Sequence, residues 1–517
     1  MSFIFATVLI LALIKIIRDN LFYLWLWQIK MYRLDRMLAH IKDEKNVIGG
    51  NINHFCCLIV VLFFYLYQSL FVYVVGLFFA FTFYQILSEL KKRTLKRPKP
   101  TFKTIFIFSM SFLVYFLVFI SCYLYINKEV SFVLATLFLL FFYLITPVLV
   151  TLIVFSINPI FNFQKKRVLK KATDKMGTLE KVKVIGITGS YGKTSTKEFL
   201  YTILCEKFKV VKTEGNNNTN IGVAYTVLNN VDDSQDYFIC EMGAYRIGEI
   251  AEMCGIVKPQ MGILTGINEQ HLDLFGSIEN TREAKFELIK SLPQDGLAII
   301  NEKLKPETEK REFLVKDIKY FSDKMSTKIN SSKDGLEFNY KNVDFKTEIK
   351  GEHYLENLLS AIIVAENLGM SLEEIKEAVK KIKPSKFMMR KQEGLNKSIF
   401  IDDSYSANPD GVIAALDYLN DEYQDYKKII VFPGIIELGK ESEKVHRRLF
   451  TKINEICDIA YILNLEQQVL VDKDKCRFIF DKDFSKVAFM LKKDLNGKTV
   501  VLFESRGAGV VLKKLSK

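Results

Sequence analysis

Nowhere among the eight cysteines of this 517-residue chain does a C-x-x-C pair occur. Without such pairs a zinc ribbon is excluded, and no disulfide framework is suggested. Cys56, Cys57, Cys122, Cys205, Cys240, Cys254, Cys457 and Cys476 read as buried free thiols. The N-terminus lacks a basic leader and a small-residue cleavage site. Its apolar run, residues 2–17, therefore reads as a retained anchor rather than a removable signal. Ionisable residues are missing from the apolar runs of the first third, apart from Lys15, which argues against an ion or proton pathway. No basic stripe interleaved with aromatics runs through the rest of the chain. The net charge of +13 is therefore no nucleic-acid footprint, and no nucleic-acid partner is expected.

What the first third does contain is apolar sequence with basic flanks. Residues 2–17 continue into 21–27, and a basic amphipathic stretch at 28–45, with Lys30, Arg33 and Arg36, suits a membrane surface. One crossing needs ~20 residues, and the run 55–87 is well beyond that. Both its flanks are basic, so the positive-inside rule makes it cross twice, as a hairpin or re-entrant pair. Runs 105–126 and 131–157 complete about five crossings, with the N-terminus outside and the later domains in the cytoplasm. The expected location is the cell membrane, multi-pass, and the cytoplasmic membrane is the first expected partner.

From residue 181 the composition changes. Apolar segments alternate with amphipathic helical patterns, as in an α/β sheet. Strands are expected at 182–187, 209–213, 237–241, 260–267 and 297–301. The first runs into Thr188-Gly189-Ser190-Tyr191-Gly192-Lys193-Thr194-Ser195 and then a helix with Phe199, Leu200, Ile203 and Leu204 at helical spacing. Strand, glycine turn and helix make a phosphate cradle. Backbone N–H groups meet the anion, Lys193 adds positive charge, and the Thr194 hydroxyl can hold Mg²⁺. Ile187 stands where the G-x-x-x-x-G-K spacing would have its first glycine.

Other residues gather significance by position. Glu241 ends a buried strand, where the ligand edge of an open α/β sheet lies, and is placed to hold Mg²⁺. The asparagine-rich segment 213–223 reads equally well as a solvated turn. His271 and Asp273 follow another strand. Lys285 lies two turns into a helix that Ser277 can cap. Alone, His271 and Lys285 would be an ordinary loop histidine and a surface lysine.

In order, the phosphate loop, the asparagine-rich loop, E-M-G-A (241–244), N-E-Q-H-L-D (268–273) and R-E-A-K-F-E-L (282–288) resemble the Mur ligases. Further similar segments are G-E-H-Y-L-E-N (351–357), I-D-D-S-Y-S-A-N-P (401–409), I-E-L-G (436–439) with His446, and E-S-R-G (504–507). The resemblance spans about 182–517. It implies a P-loop central domain and a Rossmann-like C-terminal domain behind an α-helical transmembrane region. The division expected is 1–160 membrane, 161–180 basic linker, 181–383 central and 384–517 C-terminal.

The resemblance also implies chemistry. A substrate carboxylate takes the γ-phosphoryl group of ATP, and an amine attacks the acyl phosphate, leaving an amide, ADP and phosphate. Lys193, Glu241, His271 and Lys285 are the implied catalytic set. Thr194, Glu241, His271 and Lys285 are implied on the Mg²⁺ side, with Lys285 as a carbamate. Residues 188–195, Asn301, Arg390 and Asp403 are implied for ATP. Met389 before Arg390, Ser406 in Y-S-A-N-P, residues 431–434 before E-L-G, and Glu504 before S-R depart from the family pattern. They bear on the amine, an amino acid or D-alanyl-D-alanine, more than on ATP. Soluble members begin with a domain for the UDP end of their substrate. Membrane crossings take its place here, so the acceptor is expected to be a lipid-linked or UDP-linked muropeptide. The competing reading is an ATP-binding membrane scaffold or regulator with a non-catalytic ligase-like domain. The complete set Lys193, Glu241, His271 and Lys285 speaks against it.

Overall fold

The computed structural model describes residues 2–34, 36–38, 71–91, 95–125, 131–215, 217–332, 335–384, 389–405, 408–464, 467 and 475–515. Two compact units divide between Lys165 and Lys166.

The first unit is helical: α1 (Ser2–Ile29), α2 (Phe71–Lys91), α3 (Phe102–Tyr125) and α4 (Ser131–Thr178) as far as Lys165. Apolar residues lie all round the first three helices, a pattern that soluble surface helices do not show. Gly76 lets α2 approach α1, since a Cβ there would stand 3.1 Å from Val8. Polar residues lie inside. Lys15 Nζ and Arg18 Nη1 each donate to Asp19 Oδ1 at 2.9 Å, and Arg18 also reaches Glu89 of α2 at 2.5 and 3.1 Å. Asn20 donates to the Tyr115 hydroxyl at 3.4 Å, and that hydroxyl pairs with Thr146 Oγ1 at 3.0 Å. The outside is apolar: Leu77, Tyr84, Phe102 and Phe163 are between 63% and 74% exposed. The interior is also largely apolar, with Val8, Ala12, Phe71, Val75 and Phe79 in one cluster and Leu24, Trp27, Val150 and Val154 in another.

One expectation changes here. Helix α1 continues unbroken past residue 17 and carries Arg18 and Asp19 as well as Lys15, so its interior is not free of charge. The charges coexist because each lies within ion-pair distance of an opposite one. Among the described residues, two helices are long and apolar enough to cross a bilayer, Tyr73–Lys91 and Thr136–Thr178, and Phe102–Leu117 is apolar but shorter. They overlap the crossings expected within 55–87, 131–157 and 105–126. The first half of the expected hairpin, 55–70, and residues 39–45 lie outside the described residues.

In the second unit the end of α4, expected as an open basic linker, is helical to Thr178. Its Leu169, Ala172 and Met176 join a core with Val223, Val227 and Ile256. The central sheet has six strands in the order β2-β3-β1-β4-β5-β6: β1 (Lys183–Thr188), β2 (Val210–Lys212), β3 (Tyr237–Glu241), β4 (Met261–Leu264), β5 (Leu297–Asn301) and β6 (Asp317–Phe321). All pairs are parallel. Successive residues of a strand face opposite sides. Ile185 and Ile187 meet α5 (Lys193–Leu204), while Val184 lies in the core built by α6 (Asn220–Asn230), α7 (Glu249–Val257) and α8 (Ile278–Lys290). Leu288 of α8 lies directly on Gly186 and Gly262, 2.6 and 3.1 Å from where their Cβ atoms would be. This close packing carries Lys285, one turn earlier, to the loop edge of the sheet. Leu288→Ala would cost about 2–5 kcal/mol through the cavity it leaves.

A small antiparallel sheet, β7 (Ser326–Ser332), β8 (Gly335–Tyr340) and β9 (Val343–Thr347), and helices α9 (Leu355–Asn367) and α10 (Leu372–Lys380) cover the α5 side. The C-terminal sheet has the order β10-β11-β15-β12-β13-β14. Its strands are β10 (Arg390–Glu393), β11 (Ile399–Asp403), β12 (Lys427–Phe432), β13 (Ile459–Ile462), β14 (Arg477–Phe480) and β15 (Thr499–Glu504). Only the edge strand β10 is antiparallel. Helices α11 (Pro409–Glu422) and α12 (Ser442–Ile456) cover one face, and α13 (Phe484–Lys492) and α14 (Ser505–Leu515) the other. Of the cysteines whose side chains are described, Cys240, Cys254, Cys457 and Cys476 are buried thiols, whereas Cys205 is exposed at the end of α5.

Candidate active site

The phosphate loop leaves β1 at the carboxyl edge of the sheet. Gly192 caps α5 with φ +74°, and a Cβ there would lie 2.3 Å from Asn357 Oδ1, so backbone and neighbour both demand glycine. The loop is braced by Ser190 N–H donating to Gly266 O at 2.7 Å and Thr188 Oγ1 donating to Met242 O at 2.8 Å. Tyr191 packs against Gly266, and Thr265 Oγ1 donates to Tyr191 O. Ser195 follows on α5, partly exposed. Lys193 Nζ folds back onto the loop, donating to Gly189 O at 2.7 Å and Ser190 O at 3.1 Å. Burial of the nitrogen lowers its pKa, while Glu241 opposes that shift. An anion in the cradle offers this ammonium a stronger acceptor than two neutral carbonyls.

Glu241, at the end of β3, is buried to 1% exposure. Thr194 Oγ1 lies 3.1 Å from both its oxygens, Asn218 Nδ2 donates to Oε1 at 2.9 Å, and Lys197 Nζ stands 3.0 Å from Oε2. The asparagine-rich segment is thus part of the site rather than a solvated turn. Its Thr213 hydroxyl accepts Glu241 N–H at 3.1 Å, its Asn218 carbonyl accepts Gly243 N–H at 2.7 Å, and its Thr219 caps α6. Lys197 and Asn218 were missed by sequence reasoning. The one available signal for Lys197 was its spacing, one turn beyond Lys193 and Thr194 on the same helix face.

A pocket beside the loop is lined by Gly189, Ser190, Lys193, Asn218, Gly243, Ala244, Tyr245, Gln270, His271, Phe275 and Lys285. Lys285 is buried to 3% exposure, and among the described residues its Nζ has no hydrogen bond or ion pair; the Phe275 ring lies 5.7 Å away. Burial, reinforced by Lys193, pushes its pKa well below the ordinary lysine value. His271 adopts a left-handed backbone, φ +60°, and packs edge-on against Tyr245. Its Nδ1 lies 2.6 Å from Glu437 Oε2, leaving Nε2 for other partners. Burial lowers its pKa against the opposing pull of Glu437. Glu437 is a third contributor that sequence reasoning passed over, although it sits in the I-E-L-G segment.

Among the described residues, no three His, Cys, Asp or Glu side chains lie close enough to hold a metal by themselves. The fit is to a hard divalent cation that takes oxygen from Glu241 and Thr194, and completes its shell from phosphate and water.

The remaining expected residues lie outside this pocket. Asn301 is fully buried at the end of β5. Its Nδ2 donates to Thr265 O at 3.1 Å and Glu356 Oε2 at 3.0 Å, and its Oδ1 accepts Lys303 N–H at 3.0 Å. Its polar atoms are thus spent on the frame. Arg390, on edge strand β10, pairs with Asp402 at 3.1 Å and is half exposed. Asp403 ends β11 opposite Glu504 of β15. Burial, then Asp402, pushes Asp403 up to about 7, and burial followed by Asp403 raises Glu504 well above the usual carboxylate range. His446 is a buried framework residue whose Nε2 accepts Ile435 N–H at 3.0 Å.

One segment, 268–273, joins the two sheets by hydrogen bonds, and Met389 N–H donates to the Tyr354 hydroxyl at 3.3 Å elsewhere between them. Asn268 Nδ2 donates to Asn408 Oδ1 and Asp410 Oδ2, both at 2.9 Å, and Asp273 N–H donates to Glu437 O at 3.0 Å.

Residues 187–365 match the model of the Mur ligase middle domain. The chain is similar to UDP-N-acetylmuramoyl-tripeptide--D-alanyl-D-alanine ligases. With that of Rickettsia prowazekii it is 31% identical over 306 residues, 56% of this chain and 68% of the relative. With that of Bacillus subtilis it is 30% identical over 273 residues, 51% of this chain and 59% of the relative. It thus spans about three fifths of the Bacillus subtilis relative's length. Among solved structures, MurF ligase from Thermotoga maritima in complex with ADP matches with TM-score 0.60 and 26% identity, over 68% of this chain and 83% of that one. MurF from Acinetobacter baumannii, 23% identical, matches in fold with TM-score 0.62 over 68% of this chain and 81% of its own. Sheet order, phosphate loop and these likenesses agree, and the chain belongs to the Mur ligase family.

Proposed function

We propose that this protein is a membrane-anchored, ATP-dependent, ADP-forming ligase of peptidoglycan-precursor synthesis. It activates the carboxylate of a muropeptide as an acyl phosphate and joins it to D-alanyl-D-alanine or another amino acid. The observation that carries this reading is the single pocket in which Lys193 of the phosphate loop meets the buried, unpaired Lys285. Glu241 stands beside that pocket, in contact with Thr194.

Each side chain has a task. Lys193 releases its loop carbonyls and neutralises phosphate charge. Thr194 and Glu241 would hold Mg²⁺, with His271 Nε2 on the same side. When bound, that ion supplies charge neutralisation to phosphate oxygens. Lys285, desolvated and with its pKa lowered, can take up CO₂ through its neutral amine form as a carbamate, releasing one proton. A carbamate there would give the pocket the acid that it lacks among its own lining residues. Arg390 and Asp403 would frame ATP from the C-terminal sheet, while Asn301 would support the site from behind by holding Thr265 and Glu356 in place. The contacts of Asn268 and Glu437 across the sheets would help exclude water from the acyl phosphate.

The helical unit supports membrane anchoring through its outward Leu77, Tyr84 and Phe102 and its inward Lys15, Asp19 and Asn20. A membrane-borne, lipid-linked acceptor follows from that anchoring, with a UDP-linked acceptor as the alternative. The test is phosphate release by the purified full chain with ATP, Mg²⁺, D-alanyl-D-alanine and either acceptor. Release that needs both acceptor and amine supports the ligase. Turnover on the UDP form alone removes the lipid-linked part of the reading. ATP hydrolysis that neither substrate stimulates sinks the ligase and favours a scaffold.

A further inference from the structure

Lys197 is 0% exposed, does not line the pocket, and yet makes contact with the carboxylate beside it. Its ammonium stands 3.0 Å from Glu241 Oε2, donates to Gly215 O at 2.6 Å, and lies 3.7 Å from Glu198 Oε1. Thr194 and Asn218, the other partners of Glu241, are neutral. Among the described residues, Lys197 is the one cation within ion-pair distance of Glu241.

A carboxylate serves a hard divalent ion only when its oxygens are aimed at it, so what fixes its plane matters. With Lys197 on Oε2 and Asn218 on Oε1, the carboxylate plane is set before any ion arrives. The bond to Gly215 O pins the loop that carries Asn218, so one lysine holds both the acid and its other clamp. Thr194 and Lys197 are three residues apart on α5 and present both groups to the end of β3.

We propose that Lys197 is a positioning residue that holds Glu241 oriented as a ligand for a divalent cation. The inference rests on the ligase reading above and assigns a division of labour: Lys193 serves phosphate, and Lys197 serves the acid. It acts through Glu241 and touches neither substrate nor ion.

The probe is Mn²⁺, followed by the electron paramagnetic resonance signal of the free ion, with the full chain and ADP. Lys197→Met and Lys197→Gln should each weaken Mn²⁺ binding about 10–100-fold, as loss of a ligand's supporting partner does. ADP affinity measured without metal should stay unchanged, and Lys197→Arg should recover part of the Mn²⁺ affinity. In a Glu241→Gln background, Lys197→Met should add no further loss, because the two act as one unit. Native Mn²⁺ affinity in either folded neutral variant overturns the proposal, and so do additive losses in the double variant. Failure of the native chain to bind Mn²⁺ with ADP at all overturns the ligase reading itself.

Discussion

Glu437, from the C-terminal sheet, places Oε2 2.6 Å from Nδ1 of His271 on the central sheet. The two residues follow strands of different sheets, 166 positions apart in the chain. The hydrogen bond and the negative charge both raise the pKa of His271 against the larger lowering by burial. Glu437→Ala should therefore move that pKa further down, read by ¹⁵N resonances of the histidine ring across pH 4–8. It should also loosen the contact that Asp273 N–H makes with the Glu437 carbonyl, which would show as faster amide exchange there.

Lys193→Ala removes the cation that covers developing phosphate charge. Loss of one preorganised charge partner of this kind costs about 10²–10³-fold in turnover, and a full charge facing phosphate lies at or beyond the upper end. ADP release should fall by that much while the melting temperature holds, since Lys193 bonds only to its own loop carbonyls.

Lys285→Ala should cripple turnover, with partial rescue by added short-chain carboxylates that restore an acid to the pocket. In the native protein, CO₂-free buffer should lower activity and bicarbonate should restore it. Burial lowers the amine's pKa, so more of it is in the neutral, CO₂-reactive form than for an exposed lysine, and that share shrinks as pH falls. Unchanged activity in Lys285→Ala would make the lysine a framework residue.

Asp403 and Glu504 make stability depend on pH. Both have folded-state pKa values above their unfolded ones: burial and then Asp402 raise Asp403, and burial and then Asp403 raise Glu504. The folded state therefore binds the extra proton, and stability falls as pH rises through about 7, the folded value of Asp403. Glu504→Gln removes one of the two charges. It should flatten the profile, so that the melting temperature at pH 8 rises relative to the native chain while that at pH 5 changes little.

In the helical unit, Arg18 joins Asp19 of its own helix to Glu89 of α2. Arg18→Leu removes this partly buried link between the two helices and should weaken their packing. The variant should be poorly recovered from membranes. Arg18→Leu with Glu89→Leu should recover much of the loss, measured by thermal unfolding in detergent.

The order of β1, phosphate loop and α5 was legible because its signals are local. Apolar alternation, two glycines and the Lys193-Thr194 pair fall within a dozen residues. Strand 237–241 and its terminal Glu241 were legible for the same reason. Strand β4 proved shorter than the apolar run 260–267, ending at Leu264, because Thr265 and Gly266 turn away to brace Tyr191 and Ser190. What stayed hidden depends on distance along the chain. Asn218 acquires meaning only when Glu241, 23 residues on, comes to it, and Glu437 only when His271 lies opposite, 166 residues away. Lys197 looked like any helical lysine, since spacing shows a face but not whether that face is buried. The charges of α1 were misjudged because Glu89, the partner of Arg18, comes from another helix.

The most direct test of the ligase follows oxygen. An acceptor labelled with ¹⁸O in its reacting carboxylate is incubated with the full chain, ATP, Mg²⁺ and D-alanyl-D-alanine, and the phosphate released is analysed by mass spectrometry. Passage through an acyl phosphate predicts one ¹⁸O in each phosphate released and one retained in the amide. Unlabelled phosphate would mean that ATP is hydrolysed by water, and would contradict the account.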